Sequence, residues 1–367
     1  MLADVRRGLW KPPAPEPEAP KQEPTFHEFA SEWLAARELE GLAPKTIVDL
    51  RWSLSNHLLP HFATFRLSEI TPQEIDHFKG AKVREREAFE RARASGERIR
   101  ERGLSNNSIN HVLSDLAQVL ETATEYDLIA ANLASGKRRR LKSTRPARPW
   151  VEPEALPALL DAASGVGRVL LGVLAGTGLR IGEALALRWQ HVDLATGTLH
   201  VISSKTDAGV RTVDLTEALR EELVLWRAAS RFTEPDDFVL PTSTGRRHSP
   251  SNLRRDVLRP AVGSANAKLE KDGIAPIAES LGFHGLRRTY ASLRCACGDD
   301  VAYASSQLGH EDPRFTLRVY AQATKRRERL SGPHLQAYDR ALDWARMGTI
   351  AADEPLVVPQ EATKNPA

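Results

Sequence analysis

"GTLHVISSKTDAGVRTVDL", residues 197–215, changes the period of the chain around it. Leu199, Val201 and Ile202 precede a polar turn that contains Gly209, and Val210, Val213 and Leu215 follow it. Apolar residues at a spacing near two, on either side of a short polar turn, describe a half-buried β-hairpin. The neighbours keep the helical period instead. "PWVEPEALPALLDAA" (149–163) and "GVGRVLLGVLAGTGLRIGEALAL" (165–187) read as apolar helices, and the chain reads as helix again after about Thr216. The expected fold is therefore mainly α with a small antiparallel β-sheet.

Toward the N-terminus the helical pattern is unbroken by strands. "TFHEFASEWLAARELEG" (25–41) places Phe26, Phe29, Trp33 and Leu34 at helical spacing and ends at Gly41, a natural stop. "APKTIVDLRWSLSNHLLPHF" (43–62) and "SNNSINHVLSDLAQVLETATEY" (105–126) are amphipathic, the second with Ser105 and Asn106 available as caps. Between them, residues 80–103 carry eight basic and five acidic side chains and no apolar face. That segment reads as a solvent-facing helical excursion or as a helix lying along DNA. The domain organisation expected is a disordered, Pro- and Glu-rich segment 1–24, a helical N-terminal domain 25–135, a basic linker 136–149, a mostly helical α+β C-terminal domain 150–347 with the small sheet, and a disordered tail 348–367.

Composition narrows the function. The 367 residues suffice for two domains with separate cores. Two cysteines, Cys295 and Cys297, are too few for a disulfide framework or a closed zinc site. No apolar signal core or membrane-length run is present, so a reducing, cytoplasmic setting without membrane contact is expected. The net charge of +3 is modest, but "GKRRRLKSTRPARP" (136–149) holds seven Lys or Arg and no acid. Lys137, Arg138, Arg139, Arg140, Lys142 and Arg145 in this run are the expected contacts to a polyanion.

"AGTGLRIGEALALRW" (175–189) resembles a phosphate-binding turn but lacks the Gly-Lys-Ser/Thr ending of a P-loop and the third glycine of a dinucleotide fingerprint. It leaves one arginine, Arg180, with Glu183 a turn further on. Three other stretches join it: "SSKTDAG" with Lys205 at the hairpin tip, "GFHGLRRTYASL" with His284 and Arg287 on one helix face, and "QLGHEDPRFTLRVYAQA" with His310 and Tyr320. Singly, each has a plainer reading as a core histidine, core aromatic or solvated turn lysine. The order in which they occur together is what points to chemistry.

That order resembles the tyrosine recombinases, the phage-integrase family of site-specific DNA recombinases, over roughly Phe26 to Tyr320. The resemblance implies a helical core-type DNA-binding domain and a catalytic domain that cleaves and rejoins DNA strands through a 3′-phosphotyrosine, with no metal and no cofactor. It implies Arg180 and Arg287 as phosphate clamps, Glu183 orienting Arg180, and Tyr320 as nucleophile. His284 would accept the tyrosine proton, His310 would bond a non-bridging oxygen, and Lys205 would protonate the departing 5′-oxygen. The glycines before Arg180 are expected to let the chain approach the DNA backbone. Tyr290 is expected to be a core aromatic, not the nucleophile. Double-stranded attachment sites, a homotetramer on DNA and accessory bending or directionality factors are the implied partners. The helix after Tyr320, with Leu335, Tyr338, Leu342 and Trp344, is expected to pack either on its own domain or on a neighbouring protomer. Alternatives are a type IB topoisomerase-like relaxing activity and a DNA-binding protein without catalysis. A metal-dependent nuclease is disfavoured, since no acidic cluster accompanies His284 and His310.

Overall fold

The computed structural model describes residues 23–97, 102–143, 148–202, 209–309 and 332–346. Its chain divides into two compact units, Met1–Pro146 and Ala147–Ala367.

In the first unit, helix α1 (Phe26–Leu39) starts where Thr25 can cap it. Thr25 Oγ1 accepts from the Glu28 backbone N–H, and Glu28 Oε2 accepts from the Thr25 N–H at 2.8 Å, closing a capping box. Gly41, at φ +71°, takes the left-handed turn beyond its end. Helix α2 (Pro44–Ser53) passes through a π-helical turn at Leu54–Leu58 into α3 (Leu59–Phe62). Helix α4 (Pro72–Ala94) carries most of the charged segment, and α5 (Asn106–Glu125) is capped by Ser105, whose hydroxyl accepts from the Ser108 N–H at 3.1 Å. The apolar stripes of these helices meet in one core built around Phe26, Trp33, Phe62, Phe78, Ile109 and Leu116.

The first half of the basic run is seated on this unit. Arg139 pairs with Asp76 at 3.3 Å, and Arg140 Nη1 donates to Asn110 O at 2.9 Å and to Ser114 Oγ at 2.7 Å. Arg138 and Lys142 stay exposed, and Arg145 lies outside the described residues. Arg139 and Arg140 are thus also engaged by the fold itself.

The second unit begins with α6 (Leu156–Asp161), α7 (Gly165–Thr177) and the single turn α8 (Ile181–Ala184). Then follow strands β1 (Val192–Asp193), β2 (Thr198–Val201) and β3 (Arg211–Asp214), antiparallel in the order β1-β2-β3. Leu199 faces Val213 on the buried side, while His200 and Thr212 face each other outward, their Nδ1 and Oγ1 atoms 3.0 Å apart. The hairpin is shorter than its apolar residues suggest. Ile202 and Val210 lie beyond the strands and are 63% and 56% exposed, because the pleat directs Leu199, Val201, Val213 and Leu215 to the core and leaves these two out of phase.

Helices α9 (Glu217–Ala229), α10 (Pro250–Leu253), α11 (Arg259–Lys271), α12 (Phe283–Ala296), α13 (Val301–Leu308) and α14 (Gly332–Ala345) complete the unit. Helix α14 buries Ala337, Tyr338, Ala341 and Leu342 in the core of its own unit. Glycines on α7 make room for its neighbours: a Cβ on Gly172 would stand 3.6 Å from Leu219 Cδ1, and one on Gly176 would stand 2.9 Å from Leu219 Cδ2 and 3.1 Å from Trp344. Of the segments 1–24 and 348–367 expected to be disordered, residues 1–22 and 348–367 lie outside the described residues.

Candidate active site

The site grows from the end of α7. Gly178 closes that helix in the left-handed conformation, φ +65°, and a Cβ there would be 2.6 Å from both Leu308 Cδ2 and Tyr290 Cδ1. The glycine that ends this turn therefore serves close packing inside the protein. Leu179 is buried next, and Arg180 emerges at the start of α8.

Glu183 fixes that arginine twice. Its Oε2 accepts from the Arg180 backbone N–H at 3.0 Å, and its Oε1 accepts from Arg180 Nη1 at 2.7 Å. The carboxylate side chain is only 6% exposed, against 34% for Arg180. Burial pushes the Glu183 carboxyl up, but the hydrogen bonds from Arg180 and the charge and hydrogen bond of Arg211 together hold it below the ordinary value. Glu183 is thus ionised, and it holds Arg180 at both its backbone N–H and its guanidinium.

Arg287 comes from the first turns of α12 and is buried. Its Nη1 donates to Gly178 O at 2.6 Å and its Nη2 to Leu308 O, so one planar fork ties the Arg180 turn to the end of α13. Burial, then the nearby charges of Arg180 and Arg211, pull its guanidinium down to about 9. Even so it is protonated at neutral pH. His284 sits one turn earlier and is open to solvent on one side. The crowding of protein around it, followed by the charges of Arg288, Arg287, Arg180 and Arg148, lowers its imidazole below the ordinary histidine value. At neutral pH it is an uncharged ring able to accept a proton.

The structure adds a residue that the sequence pattern alone does not single out. Arg211 opens β3, its side chain 6% exposed, and its Nη2 reaches Glu183 Oε2 at 3.2 Å. The signal was present in the hairpin: Arg211 shares the inward phase of Val213 and Leu215, and a charge on the buried face of a strand needs a partner. The structure thus brings together Arg180, Glu183, Arg287 and Arg211, with His284 on the Arg287 helix. Lys205, His310 and Tyr320 lie outside the described residues. Tyr290 is buried, and no partner for its hydroxyl is found among the described residues. Among the described residues no cluster of His, Cys, Asp or Glu is arranged to hold a metal ion, and no helix is long and apolar enough to cross a membrane.

Comparison with known proteins matches this arrangement to one family. The phage integrase family model matches residues 149–327, and the phage integrase N-terminal SAM-like domain matches residues 25–79. The ICEBs1 integrase of Bacillus subtilis is 23% identical over 318 residues, 81% of this chain and 78% of the relative. Tyrosine recombinase XerC of Yersinia pestis is 26% identical over 317 residues, 84% of this chain and 97% of the relative. The solved structure of the Tn1549 transposon integrase in complex with a circular intermediate DNA shares the fold at a TM-score of 0.63 and 16% identity, covering 84% of this chain and 99% of that one. The two family matches together take in well over half of the sequence, and with these relatives they show that the chain belongs to the phage integrase family of tyrosine recombinases.

Proposed function

We propose that this chain cleaves and rejoins double-stranded DNA at defined attachment sites through a covalent 3′-phosphotyrosine at Tyr320. The observation that carries this reading is the charge of the cluster. Among the described residues it holds three guanidiniums, those of Arg180, Arg211 and Arg287, to the single carboxylate of Glu183. Such an excess, partly withdrawn from water, is suited to a phosphate whose negative charge grows in the transition state.

In the reaction the Tyr320 oxygen attacks phosphorus, the bond to the 5′-oxygen breaks, and a phosphodiester is exchanged for a phosphotyrosine diester. Bond energy is conserved, so the DNA 5′-hydroxyl of a new strand reverses the step and no high-energy cofactor is consumed. The tyrosine proton passes to His284, whose lowered pKa leaves it neutral and ready to accept. Arg180 and Arg287 hold the non-bridging oxygens, with His310 bonding one of them. The Lys205 ammonium gives a proton to the departing oxygen. The roles of Lys205, His310 and Tyr320 rest on their order in the sequence and on the family likeness. Lys137, Arg138, Lys142 and Arg145 supply phosphate contacts outside the site. Action as a homotetramer on DNA, with accessory factors setting direction, belongs to the same reading by family likeness.

The test is Tyr320→Phe in the full-length chain, with DNA from the boundary of the element that carries its gene. It should bind that DNA as the unaltered protein does and form no covalent adduct. Adduct formation by the variant would remove Tyr320 from its role. Recombinant junctions, beyond relaxation of supercoils, separate this reading from a topoisomerase.

A further inference from the structure

One buried side chain joins three segments of the site. Arg211 donates from Nη2 to Glu183 Oε2 at 3.2 Å, from Nη1 to Gly209 O at 2.7 Å and from Nε to Gln307 O at 2.6 Å. These acceptors belong to the turn that presents Arg180, the return end of the hairpin and the last turn of α13. The residue after Gln307 is Leu308, whose carbonyl receives Arg287, and Gly309 then ends the helix at φ +59°. The same strand and helix are pinned again beside this fork. Gln307 Oε1 accepts from the Asp214 N–H at 2.8 Å, its Nε2 donates to Asp214 Oδ2 at 3.2 Å, and Tyr303 Oη donates to that oxygen at 2.7 Å.

We propose that Arg211, with the Asp214–Gln307–Tyr303 lock beside it, is a positioning device for strand cleavage that holds the Arg180 turn, the hairpin and the end of α13 in one register without touching the phosphate. All three of its nitrogens already donate within the protein, to acceptors on three segments. A buried fork whose acceptors lie on three separate segments has few substitutes. Lysine keeps the charge but offers one nitrogen, which cannot meet acceptors on three segments. A loosened register moves reacting groups by fractions of an ångström to an ångström, enough to slow a positioned reaction about 10²-fold. The inference rests on the function proposed above.

The experiment compares Arg211→Lys and Tyr303→Phe with the unaltered full-length chain. Single-turnover cleavage is followed at saturating protein on a nicked duplex taken from the boundary of the element carrying the gene. The Kd for the same duplex and the melting temperature are measured alongside. Arg211→Lys should cleave about 10²-fold more slowly with Kd and melting temperature unchanged. Tyr303→Phe should shift the rate in the same direction by a smaller factor. Wild-type cleavage by Arg211→Lys would show that charge alone suffices, and a Kd that weakens in step with the rate would show that Arg211 contacts DNA. Either result overturns the proposal. If Arg211→Lys does not fold, Tyr303→Phe decides: slowed cleavage at constant Kd supports the lock, and an unchanged rate refutes it. An adduct surviving Tyr320→Phe would refute the nucleophile while leaving the Arg211 comparison readable from the cleavage rates.

Discussion

Gly178→Ala tests whether the turn before Arg180 is shaped by interior packing. Two costs add at this position. The backbone sits at φ +65°, where an L-residue is disfavoured by about 1–2 kcal/mol. The new methyl would also stand 2.6 Å from Leu308 Cδ2 and from Tyr290 Cδ1, both on fully buried side chains with nowhere to withdraw. Overpacking of this kind costs about 1–3 kcal/mol more. Gly298 supplies the control in the same unit: its φ is +87°, and nothing lies within 4 Å of the position its Cβ would take, so Gly298→Ala meets the backbone cost alone. For a unit of 150–250 residues each kcal/mol lowers the melting temperature by roughly 2–4 °C. Taking about 3 kcal/mol for Gly178→Ala and about 1 for the control, the expected drops are roughly 6–12 °C and roughly 2–4 °C. The assay is thermal unfolding of the full-length variants, followed by near-ultraviolet circular dichroism. Because Gly178 O also receives Arg287, adduct formation below the melting range should fall as well. Equal melting shifts for the two variants would refute the packing argument.

Three further outcomes follow from other parts of the molecule. Glu183 is held below the ordinary carboxylate value because hydrogen bonds from Arg180 and the ion pair with Arg211 outweigh its burial. A carboxyl depressed in the folded state stabilises the protein above its unfolded pKa and loses that contribution as pH falls through the folded value. Glu183→Gln should therefore be less stable at pH 7, with the gap to the unaltered chain closing below about pH 4.5; denaturant unfolding that shows a constant gap from pH 7 to 3 would sink the assignment. In the basic run, replacing exposed Arg138 and Lys142 by Ala should lower the slope of log K against log salt on a non-specific duplex by about 0.9 for each phosphate that these side chains neutralise. Arg140→Ala should instead destabilise the N-terminal unit, since Arg140 bonds Asn110 and Ser114; the reverse pattern would mean that DNA pulls Arg140 away from that seat. Tyr290→Phe removes a buried hydroxyl with no partner among the described residues, so stability should hold within about 1 kcal/mol or rise, and the covalent adduct should persist. Loss of the adduct with folding intact would return Tyr290 to candidacy as nucleophile.

Much of this protein was legible along the chain because the relevant physics is local. The switch in period at residues 197–215 gave away a hairpin in a helical protein, since side chains alternate on a strand and recur every three to four residues on a helix. Ser105 before its helix marked a helix start for the same reason: a cap acts within one turn. The order Arg180, Lys205, His284, Arg287, His310, Tyr320 was likewise readable, because an order of residue types is carried by the sequence itself. Tertiary structure alone decided what these local elements meet. It turned Gly176 and Gly178 inward against Leu219, Trp344, Tyr290 and Leu308, drew Arg139 and Arg140 onto the N-terminal unit, and left Ile202 and Val210 in solvent. It also made Arg211 the shared partner of Glu183, Gly209 and Gln307, residues that lie up to 96 positions away. No periodicity records such a meeting: a buried charge is stabilised by whichever groups the folded chain brings within about 3 Å of it, and that distance exists only once the segments are packed.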